Sequence, residues 1–210
     1  IMKFLGIKSC ITHSLSSYKL FNKYKKLICD TEIFWLPFGV DEKNFINLNK
    51  KRFNRIGFRG NLNSKYNNNT RKKIIEDCYK FFGKDSEFLD IKFGPDNFLN
   101  KKEYCNWMNT ITLCINTESA IGTVGPKFWE QMICGVVPLA PISNYEGLLK
   151  PRLNYLPINI HNKNWLKEIE LYLNDPYLLS EIKNENFKMV ENFKVKNLCS
   201  TFKSYLSKLK

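Results

Sequence analysis

The 210-residue chain carries 33 lysines and arginines against 20 aspartates and glutamates, a formal net charge of +13, with 43% hydrophobic and 14% aromatic residues. That is enough chain for the core of one α/β domain, or of one domain plus part of another, and the charge suits a nucleic acid, a membrane surface or a phosphorylated substrate; the scatter of lysines among asparagines, with no long basic block, argues against the nucleic acid. Seven cysteines spread singly, with only His13 and His161 beside them, exclude a disulfide frame or a zinc cluster as the organising element and fit small buried residues of a reducing, cytoplasmic compartment.

The chain begins with Ile1 inside an apolar stretch, the pattern expected of a fragment; no signal peptide is visible in it, though a missing N-terminus could have held one. No apolar run approaches the roughly 20 residues that cross a bilayer. Cys10, Ile11 and Thr12 read as the last strand of a preceding domain, with Ser14 or Ser16 capping an amphipathic helix over residues 16–27. EIFWLPFGVDEKNF follows, a buried strand running into Pro37 and the turn at Gly39. After a polar connector, residues 55–58 form a strand that delivers Gly60, Asn61 and an asparagine-rich loop to a helix starting at Thr70, where Ile74, Ile75, Cys78 and Phe82 fall at helical spacing. Lys65 and Arg71 then either face a phosphate at that helix start or simply solvate the loop. A third strand over residues 88–93 ends at Gly94 and Pro95, and residues 104–108 form a short helix.

Residues 111–141 organise the rest. An apolar run ends at Asn116, a small polar loop leads to Gly125, Pro126 and Lys127, a helix carries Phe128, Trp129, Glu130 and Met132, and a second apolar run follows Gly135. Pro126 suits a first helical turn and Gly135 a left-handed C-terminal cap, so the segment reads as the βαβ unit of a parallel sheet. Its loop brings free N–H groups and a lysine to the carboxyl edge of that sheet, a place for an anion such as phosphate. A last strand at residues 155–158 precedes helices over 164–173 and from 177 onward, parted by Asn174, Asp175 and Pro176. The alternation predicts an α/β fold with right-handed crossovers and a ligand at the carboxyl ends of the strands.

Three of these stretches, in this order, resemble GT-B glycosyltransferases. FWLPFGVDEKNF resembles their interdomain hinge, IGFRGNLNSKY the first strand and glycine loop of their C-terminal domain, and GPKFWEQMICGVVPLAP the helix that holds a nucleotide sugar. The likeness extends over most of residues 10–205 and is strongest to group 1 families with a CgeB-like C-terminal domain.

The resemblance implies the C-terminal half of a GT-B fold, a Rossmann-like parallel sheet flanked by helices. Residues 1–40 would be the tail of an N-terminal domain and the hinge, 41–175 the donor-binding domain and 176–210 a C-terminal helix. It further implies that Glu130 accepts from the ribose hydroxyls and that Gly60 and Asn61 face the diphosphate with Gly125 and Pro126. Lys127 or Lys65 would stabilise the leaving phosphate without a metal or other cofactor, and Gly94 would stand where backbone groups hold the base. Asn61 replaces the arginine common in one family of the group, and Thr123 or Gly122 stands near the position of a sugar-contacting acid, with Glu118 too far upstream. The implied partners are a nucleotide sugar, UDP- or GDP-linked, the N-terminal domain of the same enzyme, and an unidentified glycan, protein or lipid acceptor; alone, the fragment is expected to be inactive. A fucosyltransferase-type enzyme using a GDP-sugar and a non-catalytic basic binding module are the competing readings. Glu130 and Lys127 have a simpler alternative as solvated helix residues, and Phe128 and Trp129 read as core.

Overall fold

The computed structural model describes residues 9–24, 31–60, 62, 68–117 and 123–208. Asn61, Lys65, Glu118 and Gly122 lie outside these residues.

The chain opens with a short βαβ unit of β1 (Ser9–Thr12), α1 (Leu15–Lys23) and β2 (Glu32–Trp35), the two strands parallel with Ile11 opposite Phe34. Ser14 caps α1: its hydroxyl accepts from the Ser17 N–H at 3.1 Å, satisfying an amide that has no carbonyl one turn earlier. The remaining strands, β3 (Phe53–Gly60), β4 (Leu89–Phe93), β5 (Ile111–Ile115), β6 (Val137–Pro141) and β7 (Leu156–Ile158), form a parallel sheet ordered β4-β3-β5-β6-β7. All of β5 is buried, as a central strand covered on both faces must be, which is why its sequence is continuously apolar instead of alternating.

Parallel neighbours need crossovers, and α2 (Asn68–Phe82), α3 (Lys101–Met108) and α4 (Pro126–Ile133) supply them between β3 and β6. From β3 the chain moves outward to β4; from β5 it moves the other way, to β6 and β7. The carboxyl ends of β3 and β5 therefore flank a topological switch point, where departing loops leave a crevice. One apolar cluster packs α3 and α4 on the sheet around Phe128, Trp129, Met132 and Tyr155. A second, holding Ile56, Leu113 and Leu139, receives Ile74, Ile75 and Cys78 of α2, together with α5 (Trp165–Leu173) and α6 (Pro176–Val190).

Several boundaries differ from the expected ones. β3 is twice the length expected from residues 55–58, and α3 starts at Lys101, where Asn100 and Glu103 form a reciprocal capping box. The link from β6 to β7 holds a single 3-10 turn, Tyr145–Gly147, in place of a full helix. The helix expected to run on from residue 177 is interrupted. Phe193 turns inward to stack on Trp129 at 3.8 Å and 9°, Lys194 is extended, and a new helix, α7 (Val195–Ser207), leaves at an angle. Val40 grips this break, donating to the Phe193 carbonyl at 2.9 Å and accepting from the Val195 N–H at 3.0 Å. α7 then returns to the first βαβ unit, where the Tyr205 hydroxyl donates to the Trp35 carbonyl at 2.9 Å and the Tyr205 ring stacks on Phe34.

The opposite, amino-terminal edge of the sheet is closed by Arg52. Its guanidinium donates to the carbonyls of Met108 at 2.8 Å and Ile111 at 2.9 Å, and also to that of Cys134, so one side chain joins the entry to β3, the end of α3 and the end of α4. Gly135 follows with φ +72°, a conformation that favours glycine and turns the chain directly into β6.

Candidate functional site

β3 ends at Gly60, whose N–H and Cα lie at the switch point and are buried. Across the crevice, Gly125 precedes α4 with extended backbone, Pro126, which has no N–H, occupies the first turn, and among the described residues no side chain caps the helix; the Phe128 N–H turns back to the Gly125 carbonyl at 3.2 Å, which leaves the Lys127 N–H for a ligand. The two junctions converge. Lys127 Nζ donates to the Arg59 carbonyl at 3.0 Å, and a Cβ on Gly60 would stand 3.2 Å from that same nitrogen and 3.0 Å from Phe58 Cζ. Glycine is therefore what keeps the floor of the crevice open.

A second cation enters from α2. Arg71 donates through Nη2 and Nε to Thr117 Oγ1 at 2.5 and 3.2 Å, with its guanidinium 5.8 Å from the centre of the Phe58 ring. Thr117 N–H donates in turn to Asn116 Oδ1 at 2.9 Å, and Asn116 Nδ2 donates to Gln131 Oε1 at 3.3 Å, tying the end of β5 to α4. Burial lowers the Lys127 pKa, and the charge of Arg71 lowers it further, while Cys114 and Glu130 act the other way. Most of the Lys127 side chain is accessible, yet its ammonium end sits among protein groups, and that crowding governs its titration. The arrangement concentrates positive charge and an open N–H group at one point, which suits a diphosphate.

Glu130 lies one turn beyond Lys127 on α4 and is half-buried. Its carboxylate has no hydrogen bond or ion pair among the described residues; burial raises its pKa, against the opposing charges of Lys127 and Lys101. An ionised carboxylate whose lone pairs are unengaged among the described residues, beside a cationic crevice, is equipped to accept from hydroxyls. Gly94, with φ +92°, follows β4, whose Phe93 is in register with Gly60, so it stands on the same edge one strand further out. Phe98, beyond it, is 62% exposed.

Of the residues singled out in the sequence, Gly60, Gly94, Gly125, Pro126, Lys127 and Glu130 thus share the carboxyl edge. Phe128 and Trp129 are fully buried, as expected of core. His13 and His161 are exposed, and among the described residues no three His, Cys, Asp or Glu side chains converge as metal ligands would. Sequence reasoning overlooked Arg59, whose carbonyl anchors Lys127 while its guanidinium pairs with Asp90 at 3.1 Å. It also overlooked Thr117 and Gln131; their only signal is the polar break after the apolar run. Glu146, near β6, proves to be a structural group, accepting from Ser14 Oγ at 3.0 Å and Ser16 N–H at 3.2 Å to cap α1.

No family model and no curated protein matches the sequence. Solved structures do match in fold. HepE from Anabaena in complex with UDP-glucose is 13% identical with a TM-score of 0.68 over 96% of this chain and 64% of its own. The pneumococcal O-GlcNAc transferase GtfA in complex with UDP and GlcNAc is 11% identical with a TM-score of 0.67 over 99% of this chain and 46% of its own. The C-terminal domain of LpcC, a glycosyl transferase group 1 family protein from Francisella tularensis, is 14% identical with a TM-score of 0.53, matched over 75% of this chain and 100% of its own. The chain thus spans about half to two thirds of the first two structures and all of the third. The parallel sheet, its switch point and its flanking helices are those of the C-terminal half of a GT-B glycosyltransferase fold.

Proposed function

We propose that the chain is the donor-binding half of a glycosyltransferase, holding a nucleotide sugar whose diphosphate lies between Gly60 and the start of α4. The supporting observation is the bond from Lys127 Nζ to the Arg59 carbonyl, which ties the two glycine junctions to one crevice. HepE was solved with UDP-glucose and GtfA with UDP and GlcNAc, and this favours a uridine donor as the first candidate.

In the transfer, the bond from the anomeric carbon to the diphosphate oxygen breaks, the electron pair stays on that oxygen, and the acceptor oxygen bonds to the sugar. The diphosphate gains charge as it leaves. Lys127, Arg71 and the uncapped start of α4 stabilise that charge because they are in place before the reaction. Glu130 accepts from the ribose hydroxyls, and the backbone around Gly94 receives the base. The acceptor and the group that takes its proton belong to the preceding domain of the enzyme.

Isothermal titration with UDP and GDP tests the reading. Micromolar to millimolar binding to one of them, lost in Glu130→Ala, is the expected result. Failure of the unmodified chain to bind either nucleotide contradicts it.

A further inference from the structure

At the amino-terminal edge of the sheet, away from the crevice, Arg52, Asn54, Thr112, Asn174, Ser180 and Lys183 surround a cleft of about 380 Å³. Its charge is unbalanced. Lys183 is half-buried on α6 and has no hydrogen bond or ion pair among the described residues. The N–H groups of Arg52 go to neutral carbonyl and amide oxygens, so its charge too faces no acid.

Four acids on or flanking α5 and α6 serve other groups, and Glu170 does not act on Lys183. Asp175 caps α6 through the Leu178 N–H at 2.9 Å, Glu185 pairs with Lys188 at 2.6 Å, Glu181 bonds Tyr177, and Glu168 accepts from Asn162 at 2.8 Å. Burial lowers the Lys183 pKa and Arg52 lowers it further, with no carboxylate acting in the other direction. Two like charges enclosed without a counter-ion are costly unless something anionic joins them. Free donors are also present: Ser180 and Asn54 are exposed at the cleft and make no hydrogen bond among the described residues.

We infer that this cleft is a second ligand site, taking a small phosphate-bearing molecule on Lys183 with Ser180 and Asn54 as additional donors, while Arg52, whose terminal N–H groups are already engaged, contributes its charge. A phosphate dianion matches two uncompensated cations, and charge-assisted bonds to its oxygens are stronger than neutral ones. Being on the opposite edge, the site is open while the nucleotide crevice is filled.

The test is titration with inorganic phosphate at constant ionic strength, chloride making up the balance, read by calorimetry and by melting temperature. The unmodified chain, Lys183→Met and Lys127→Met are compared, because the nucleotide crevice is itself a phosphate candidate. Saturable binding that persists in Lys127→Met and weakens at least about tenfold in Lys183→Met is the expected outcome. The melting temperature of Lys183→Met without phosphate is expected at or above that of the unmodified chain, because an unpaired cation has been removed. Ser180→Glu, which sets a carboxylate at the exposed mouth, gives the same loss without touching the core and decides the matter if Lys183→Met does not fold. A hexose monophosphate in place of the inorganic ion separates the two sources: tighter binding assigns an ester, equal or weaker binding the free ion, and both depend on Lys183. The inference is overturned by the absence of saturable phosphate binding, by phosphate affinity unchanged in Lys183→Met and Ser180→Glu, or by loss confined to Lys127→Met.

Discussion

Two cations, one at each edge of the sheet, donate to main-chain carbonyls, and they differ in how much of their bonding capacity is spent. Arg52 gives its terminal N–H groups to the carbonyls of Met108, Ile111 and Cys134 and to the side chains of Asn47 and Asn109. Among the described residues Lys127 gives one bond, to the Arg59 carbonyl, so its ammonium group has donors to spare. A planar guanidinium with five donors is suited to gathering carbonyls from several segments, whereas an ammonium on a flexible stem can be steadied by one bond and still reach a ligand. The same positive charge is spent on architecture at one edge and, in the proposed function, is available to a ligand at the other.

The largest effect separating the two is on stability. Arg52→Met leaves three partly buried carbonyls without their donor, and it is expected to lower the unfolding free energy by about 3–5 kcal/mol in chemical denaturation. A loss below about 1 kcal/mol would break the contrast. Lys127→Met is expected to change stability by less than about 1 kcal/mol while weakening nucleoside diphosphate binding about 10–100-fold by calorimetry. Equal binding by this variant and the unmodified chain would return Lys127 to an ordinary helix-start charge.

Glu130→Gln sharpens the comparison within the crevice. It is expected to lower affinity for UDP about tenfold yet leave affinity for the 2′,3′-dideoxy nucleotide nearly unchanged, because only the hydroxyls lose their acceptor. The pH dependence follows from burial, which raises the Glu130 pKa above 4.5. Protonation of the folded carboxyl begins above that value as pH falls, so nucleotide affinity declines there first, and Glu130→Gln removes the inflection. The folded chain holds this proton more readily than the unfolded chain, so the contribution of Glu130 to stability falls as pH rises through the interval above 4.5. The smallest expected change is Tyr205→Phe, which removes the bond to the Trp35 carbonyl and costs about 0.5–1.5 kcal/mol while nucleotide binding stays intact.

The same contrast explains what could be read from the residues alone. The unit around α4 was legible because its signals are local: apolar runs on both sides, Pro126 in the first turn and Gly135 at the stop. Lys127 was singled out by its place at the start of that helix, and Glu130 by the resemblance. Arg52 was read as part of a polar connector, since its partners are carbonyls, which every residue possesses, supplied by segments distant in the chain. The pairing of Arg71 with Thr117 likewise joins the start of α2 to the loop after β5, which only the sheet order brings together. The break before α7 escaped notice because the apolar spacing continues through Phe193 and Val195; what interrupts the helix is the Trp129 ring and the backbone of Val40, both remote. Among the described residues no helix is long and apolar enough to cross a membrane, in keeping with the absence of a long apolar run.

The central claim, that the Gly60 and Gly125 junctions form one diphosphate cradle, is tested most directly by a crystal structure of the chain with UDP. The account predicts the diphosphate against Gly60 and the first turn of α4, with Lys127 Nζ within hydrogen-bonding distance of a phosphate oxygen. A diphosphate bound at the Arg52 edge instead, with the Gly60 crevice filled by protein side chains, would contradict it.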